Sequence, residues 1–123
     1  MTDNNDSARP NWETLKANWP NSAHSRFVQA ASMTWHVQEM GDAAKPKMLL
    51  LHGTGASTHS FGDLMPLLAQ HYHCIALDLP GHGFTGKASS EGLSLPGMAR
   101  SIAMLLKELN FAPDYCAGHS AGA

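Results

Sequence analysis

Charge is scarce in this 123-residue chain, at 15% Asp, Glu, Lys and Arg, and it is nearly balanced, with 8 Lys and Arg against 10 Asp and Glu. Binding to nucleic acid needs clustered cations that neutralise phosphates, so nucleic acid is not expected as a partner. Cysteine is rarer still. Cys74 and Cys116, the two present, sit in apolar segments that read as buried strands, where a thiol behaves as a small hydrophobe. Both are expected to be free, since a disulfide requires an oxidising compartment. Residues 1–10 are polar and of mixed charge, without the basic flank and apolar run of a secretory signal, which points to a cytoplasmic protein. Apolar runs such as Met48 to Leu51 and Cys74 to Leu77 are far shorter than the roughly 20 residues that cross a bilayer. No transmembrane segment is expected.

The 43% of hydrophobic residues is enough to build one packed core in a chain of this length. Residues 1–24 lack periodicity despite Trp12 and Trp19, and read as a loosely ordered arm; residues 25–123 read as one domain. From Ser25 to Met40, apolar and polar residues alternate around a small-residue break at Ala30 to Ser32, which predicts a β-hairpin. Met48 to Leu51 is continuously apolar, as in strands buried on both faces. Leu64, Leu67 and Leu68 have helical spacing up to about His71, with Pro66 tolerated only in the first turn. Cys74 to Leu77 predicts a second buried strand. Ser94 is placed to cap a helix whose apolar positions Leu95, Met98, Ile102, Leu105, Leu106 and Leu109 recur every three or four residues. Asn110 and Pro113 stop that helix, and Tyr115 to Ala117 begin a third buried strand. Strands alternating with helices predict an α/β fold, a hairpin followed by a mostly parallel sheet with flanking helices, whose strand-end loops gather at one edge.

Three such strand ends carry chemistry-bearing motifs. Gly118-His119-Ser120-Ala121-Gly122 has the pattern of a nucleophile elbow, in which a serine occupies a sharp turn between strand and helix and small residues on either side let the two approach. Ser120 is the candidate nucleophile, and the Ala121 amide, at a helix N-terminus, is a candidate donor to the oxyanion of acyl transfer. A second donor belongs on the loop after the first buried parallel strand. There stands His52-Gly53-Thr54-Gly55, and the Thr54 amide is assigned to it. Asp78-Leu79-Pro80-Gly81-His82-Gly83 forms the third strand end. A carboxylate that leads into a Pro-Gly turn commonly bonds its own backbone, so Asp78, Gly81, His82 and Gly83 are assigned to loop shaping, as are His52, Gly53, Gly55, Gly118, His119 and Gly122. Eight histidines raise the question of a metal, but none pairs with another at helical ligand spacing, and neither metal nor cofactor is expected. The order His52, Asp78, Ser120 also occurs in chymotrypsin-type proteases. Those are antiparallel β-barrels, which the alternation of helices and strands excludes.

Through these three motifs, about Phe27 to Ala123 resembles the α/β-hydrolase superfamily. More narrowly, Trp19-Pro20-Asn21, Trp35-His36-Val37-Gln38, the run from His52 to Ser60, Leu93 to Ala99 and Gly118 to Ala123 look like the magnesium chelatase accessory hydrolases of bacteriochlorophyll biosynthesis. That resemblance implies a role in photosynthesis near the insertion of magnesium into protoporphyrin. It implies a small-molecule acyl substrate, or alternatively a non-catalytic role in holding a porphyrin intermediate or contacting the chelatase. In the α/β-hydrolase fold the catalytic residues follow the order Ser, Asp or Glu, His. The chain is therefore expected to be an N-terminal fragment truncated at its elbow, with the catalytic acid and histidine beyond Ala123. Alone it is expected to be inactive and prone to aggregate.

Overall fold

The computed structural model describes residues 11–53, 56–80, 82–86 and 95–118. Its hairpin consists of β1 (Ser25–Ala30) and β2 (Met33–Met40), paired antiparallel from Ser25↔Gln38 to Ala30↔Met33. The two residues between them, Ala31 and Ser32, have φ of 51° and 62°. Two left-handed residues are what a tight hairpin turn needs to match the twist of its strands, and Asn-Gly fills such a turn with least strain. In the intact protein, Ala31→Asn combined with Ser32→Gly is expected to add about 1 kcal/mol of stability. A urea midpoint that rises at unchanged slope is the expected measurement, and an unchanged or lower midpoint would refute it.

The remaining strands are β3 (Lys47–Leu51), β4 (His73–Leu77) and β5 (Tyr115–Gly118), in the sheet order β1-β2-β4-β3-β5. β2 runs antiparallel to β4, whereas β3 runs parallel to both β4 and β5. Strand side chains alternate between faces, and the core divides accordingly. Leu49, Ile75 and Leu77 pack with Trp35, Val37, Leu105 and Phe111 on one side, while Leu50, Cys74 and Ala76 pack with Phe61 and Met65 on the other. This two-sided cover is why β3 and β4 are continuously apolar.

Short helices and turns supply the cover: α1 (Trp12–Leu15), α2 (Leu64–Leu68) and the 14-residue α3 (Leu95–Glu108). α3 turns Ile102, Leu105 and Leu106 to the sheet, as their spacing predicts. α2 differs from expectation. It ends at Leu68, Pro66 falls in its first turn, and it buries Met65 and half-buries Leu68, leaving Leu64 and Leu67 45% and 61% exposed. One turn of helix presents a single pair of inward positions, and the preceding 3-10 turn, Thr58–Phe61, directs Met65 into that place beside Phe61.

Two expectations for the third buried strand are corrected. β5 stands last in the strand order, and Tyr115 and Cys116 on it are exposed. Among the described residues β5 pairs with β3 alone. Cys74 is buried within β4, which pushes its thiol pKa up, and both cysteines are free.

The arm expected over residues 1–24 has, from residue 11 onward, local structure and specific contacts. Asn11 caps α1 by accepting from the Glu13 amide, and two 3-10 turns follow at Lys16–Asn18 and Ser22–His24. The Trp12 ring meets Phe27 and Phe84 edge-on at centroid distances of 5.6 and 5.0 Å, and Trp19 meets Phe84 at 4.6 Å. This segment explains a break in the hairpin's alternation: four consecutive β2 residues, Trp35 to Gln38, are buried, because the arm covers the face on which His36 and Gln38 lie.

Candidate active site

Register brings three strand ends level. Leu51 on β3 lies opposite Leu77 on one side and Gly118 on the other, so His52 and Asp78 leave the sheet at the edge where β5 ends. In a parallel sheet this is the edge at which ligands bind. Of the residues assigned from sequence, the structure describes His52, Gly53, Asp78, His82, Gly83 and Gly118 here. Thr54, Gly55, Gly81, His119, Ser120, Ala121 and Gly122 lie outside the described residues.

His52 is fully buried and uses both ring nitrogens on backbone. Its Nε2 accepts from the Leu79 amide at 2.8 Å, and its Nδ1 lies 2.7 Å from the Gly53 carbonyl. An amide can only donate, so Nε2 holds a lone pair and the proton sits on Nδ1, giving a neutral imidazole. The ring joins the start of the β3 loop to the start of the β4 loop. Burial pushes its pKa below the ordinary 6.5; His82, whose ring is 5.2 Å away, acts in the same direction, and the Gly53 carbonyl and Asp78 act against it.

Acid sensitivity follows. An unfolded chain takes up a proton at His52 near the ordinary value, whereas the folded chain takes it up only at lower pH. Between those two values the unfolded state holds more protons, so stability is complete above about pH 6.5 and declines as the solution is acidified. In the intact protein, His52→Gln is expected to lower stability at pH 7.5 and to flatten its fall between pH 7.5 and 5.5. Equal slopes for the two proteins in urea titrations would exclude His52 as the source.

Asp78 is the most connected side chain at this edge, and it too is fully buried. Oδ1 accepts from the Thr58 amide at 2.7 Å, and Oδ2 accepts from the Phe84 amide at 2.9 Å and from His36 Nδ1 at 2.7 Å. The Phe84 bond is the local one that a turn-leading carboxylate makes. The other two tie in residues 20 and 42 positions away. Gly83 makes this arrangement sterically feasible: its φ is 51°, and a Cβ there would lie 2.3 Å from Oδ2. His82 Nδ1 is 3.0 Å from the Pro80 carbonyl, within the same loop.

His36, Thr58 and Ser25 were not assigned a role from their residue types. The Ser25 hydroxyl accepts from Gln38 Nε2 at 3.0 Å and lies 2.8 Å from His36 Nε2, to which it can donate. Thr58 Oγ1 accepts from Trp19 Nε1 at 3.2 Å. A histidine in the middle of an apolar strand was the available signal, but its partner is 42 residues away and only folding reveals it. Among the described residues, no group of three or more His, Cys, Asp or Glu is placed to hold a metal ion. Nor is any helix among them long and apolar enough to cross a membrane.

Residues 46–123 match the family model described as the alpha/beta hydrolase fold. The chain belongs to the α/β-hydrolase family. It is 40% identical to the magnesium-chelatase 30 kDa subunit of Rhodobacter capsulatus over 88% of its own length and 38% of that protein. It is 41% identical to an uncharacterised hydrolase of Saccharomyces cerevisiae over 71% of its length and 30% of that protein. Among solved structures, a bacterial membrane phospholipase A superposes with a TM-score of 0.79 at 27% identity, covering 89% of this chain and 37% of the other. The chain thus spans between 30% and 38% of the length of these three proteins.

Proposed function

We propose that the intact protein is a serine hydrolase acting on an ester or similar acyl substrate, with Ser120 as nucleophile. The observation that supports this is the register of β5. Its end at Gly118 is level with Leu51 and Leu77, so the sequence Gly-His-Ser-Ala-Gly follows a parallel strand at the edge where the His52 and Asp78 loops begin. In this reading the Ser120 Oγ attacks the acyl carbon while a base takes its proton. The amides of Thr54 and Ala121 donate to the oxyanion, the leaving alcohol departs with a proton, and water then cleaves the acyl-enzyme. The base and its acid partner follow Ser120 in the order of this fold. His52 is a poor base here, because its only lone pair already accepts from the Leu79 amide.

A fluorophosphonate probe tests the nucleophile: the intact protein should be labelled and its Ser120→Ala variant should not. Labelling that survives the substitution would remove Ser120 from the role.

The likeness to a protein named as a magnesium-chelatase subunit supports a role for this hydrolase near magnesium chelatase, and with it the reading of a cytoplasmic enzyme of bacteriochlorophyll biosynthesis. The same likeness supports a second reading, in which the protein holds a porphyrin intermediate or contacts the chelatase without catalysis. Complementation of a pigment-deficient strain separates the two: a Ser120→Ala gene that restores pigment as well as the unaltered gene would favour binding over hydrolysis.

A further inference from the structure

The described residues on either side of the turn assigned to the oxyanion hole are held by specific bonds, and one of those bonds comes from the N-terminal arm. Before the turn, His52 holds Gly53 and the Leu79 amide, with distances of 2.7 and 2.8 Å. After it, the fully buried Thr58 is held twice: its amide donates to Asp78, and its hydroxyl accepts from the Trp19 indole at 3.2 Å. In sequence, Thr54 falls between Gly53 and Thr58. Around Trp19 the arm is fastened independently of that bond. Asn21 Nδ2 donates to the Gly62 carbonyl at 3.2 Å, and Gln38 Nε2 donates to the Pro20 carbonyl at 2.8 Å. The Pro20 ring lies so close to Gly62 that a Cβ there would come within 2.8 Å of it, and Trp19 stacks edge-on against His59 at 5.1 Å.

We infer that residues 19–21 are a strap that positions the oxyanion turn, and that Trp19 is a positioning residue for acyl transfer, acting through Thr58. The inference rests on the serine-hydrolase reading above. A donor aimed at a developing oxyanion is effective only while its geometry is held, and small displacements of such groups are costly in rate. The strap should therefore act on kcat and spare KM.

The test uses the intact protein, p-nitrophenyl butyrate as acyl substrate and a fluorophosphonate as active-serine probe. Trp19→Phe removes the indole N–H but keeps a ring; Thr58→Val removes the hydroxyl but keeps the shape and the amide. Each single variant is expected to lower kcat and the labelling rate about five- to tenfold, with KM within twofold and full labelling at the end point. The double variant should be no slower than the slower single one. Hydrogen exchange of the amides in residues 56–62 should quicken in Trp19→Phe, while β3 and β4 remain protected. Unchanged kcat, multiplicative losses in the double variant, or a rise in KM matching the fall in kcat would each overturn the strap. If the unaltered protein is not labelled, the hydrolase reading falls. Exchange then decides whether the strap holds the loop at all, and unchanged exchange refutes that as well.

Discussion

Asp78→Ala is expected to lower the melting temperature of the intact protein by about 10 °C or more, or to leave it insoluble. The substitution strands three donors in a fully buried site: the Thr58 amide, the Phe84 amide and His36 Nδ1. An unsatisfied buried donor costs about 1–3 kcal/mol, so three together cost about 3–9 kcal/mol in a fold whose whole stability is on the order of 5–15 kcal/mol. For a domain of this family's size, each kcal/mol moves the midpoint by about 2–4 °C. Asp78→Asn should fall between the two proteins, because the amide keeps one oxygen and the shape but turns an NH2 toward a donor. An Asp78→Ala protein that melts within about 2 °C of the unaltered one would show that the carboxylate does not hold these segments together.

Ser120→Ala should have the opposite profile, a loss of chemistry rather than of structure. With the nucleophile removed from the intact protein, kcat/KM toward p-nitrophenyl butyrate is expected to fall by about 10⁴ to 10⁶, comparable with loss of the nucleophile in a serine protease. That corresponds to roughly 5–8 kcal/mol of transition-state stabilisation. Some rate above that of water should remain, because the oxyanion donors and the binding site are left in place. A variant that keeps a tenth of the activity would exclude Ser120 as nucleophile, and a different nucleophile at the same edge would then be the better account.

The two substitutions differ in how far the sequence foretold them. Gly-x-Ser-x-Gly is a contiguous signature, legible without any tertiary contact. Asp78 directly follows β4, yet its local bond to the Phe84 amide is one of three. The bonds to Thr58 and His36 join loops and strands 20 and 42 residues apart, and no local periodicity encodes such pairings. Cys116 shows the same limit from the other side. Its apolar run reads as a buried strand, but burial depends on what packs against β5, and among the described residues β5 pairs with β3 alone.

By itself the sequence determined the alternation of strands and helices, the buried parallel strands β3 and β4, and the family, because hydrophobic periodicity and turn chemistry act over a few residues. Only the tertiary structure decided what covers each face. It buries His36 and Gln38 on a hairpin whose alternation would leave them in water, because the segment carrying Trp12 and Trp19 lies over that face. It makes His52 a neutral acceptor for the Leu79 amide, and it fastens the far end of the same loop to an indole 39 residues away. The reason is physical: a single side chain fixes its own backbone preference, whereas a buried polar atom requires a partner that only the folded chain can bring to it.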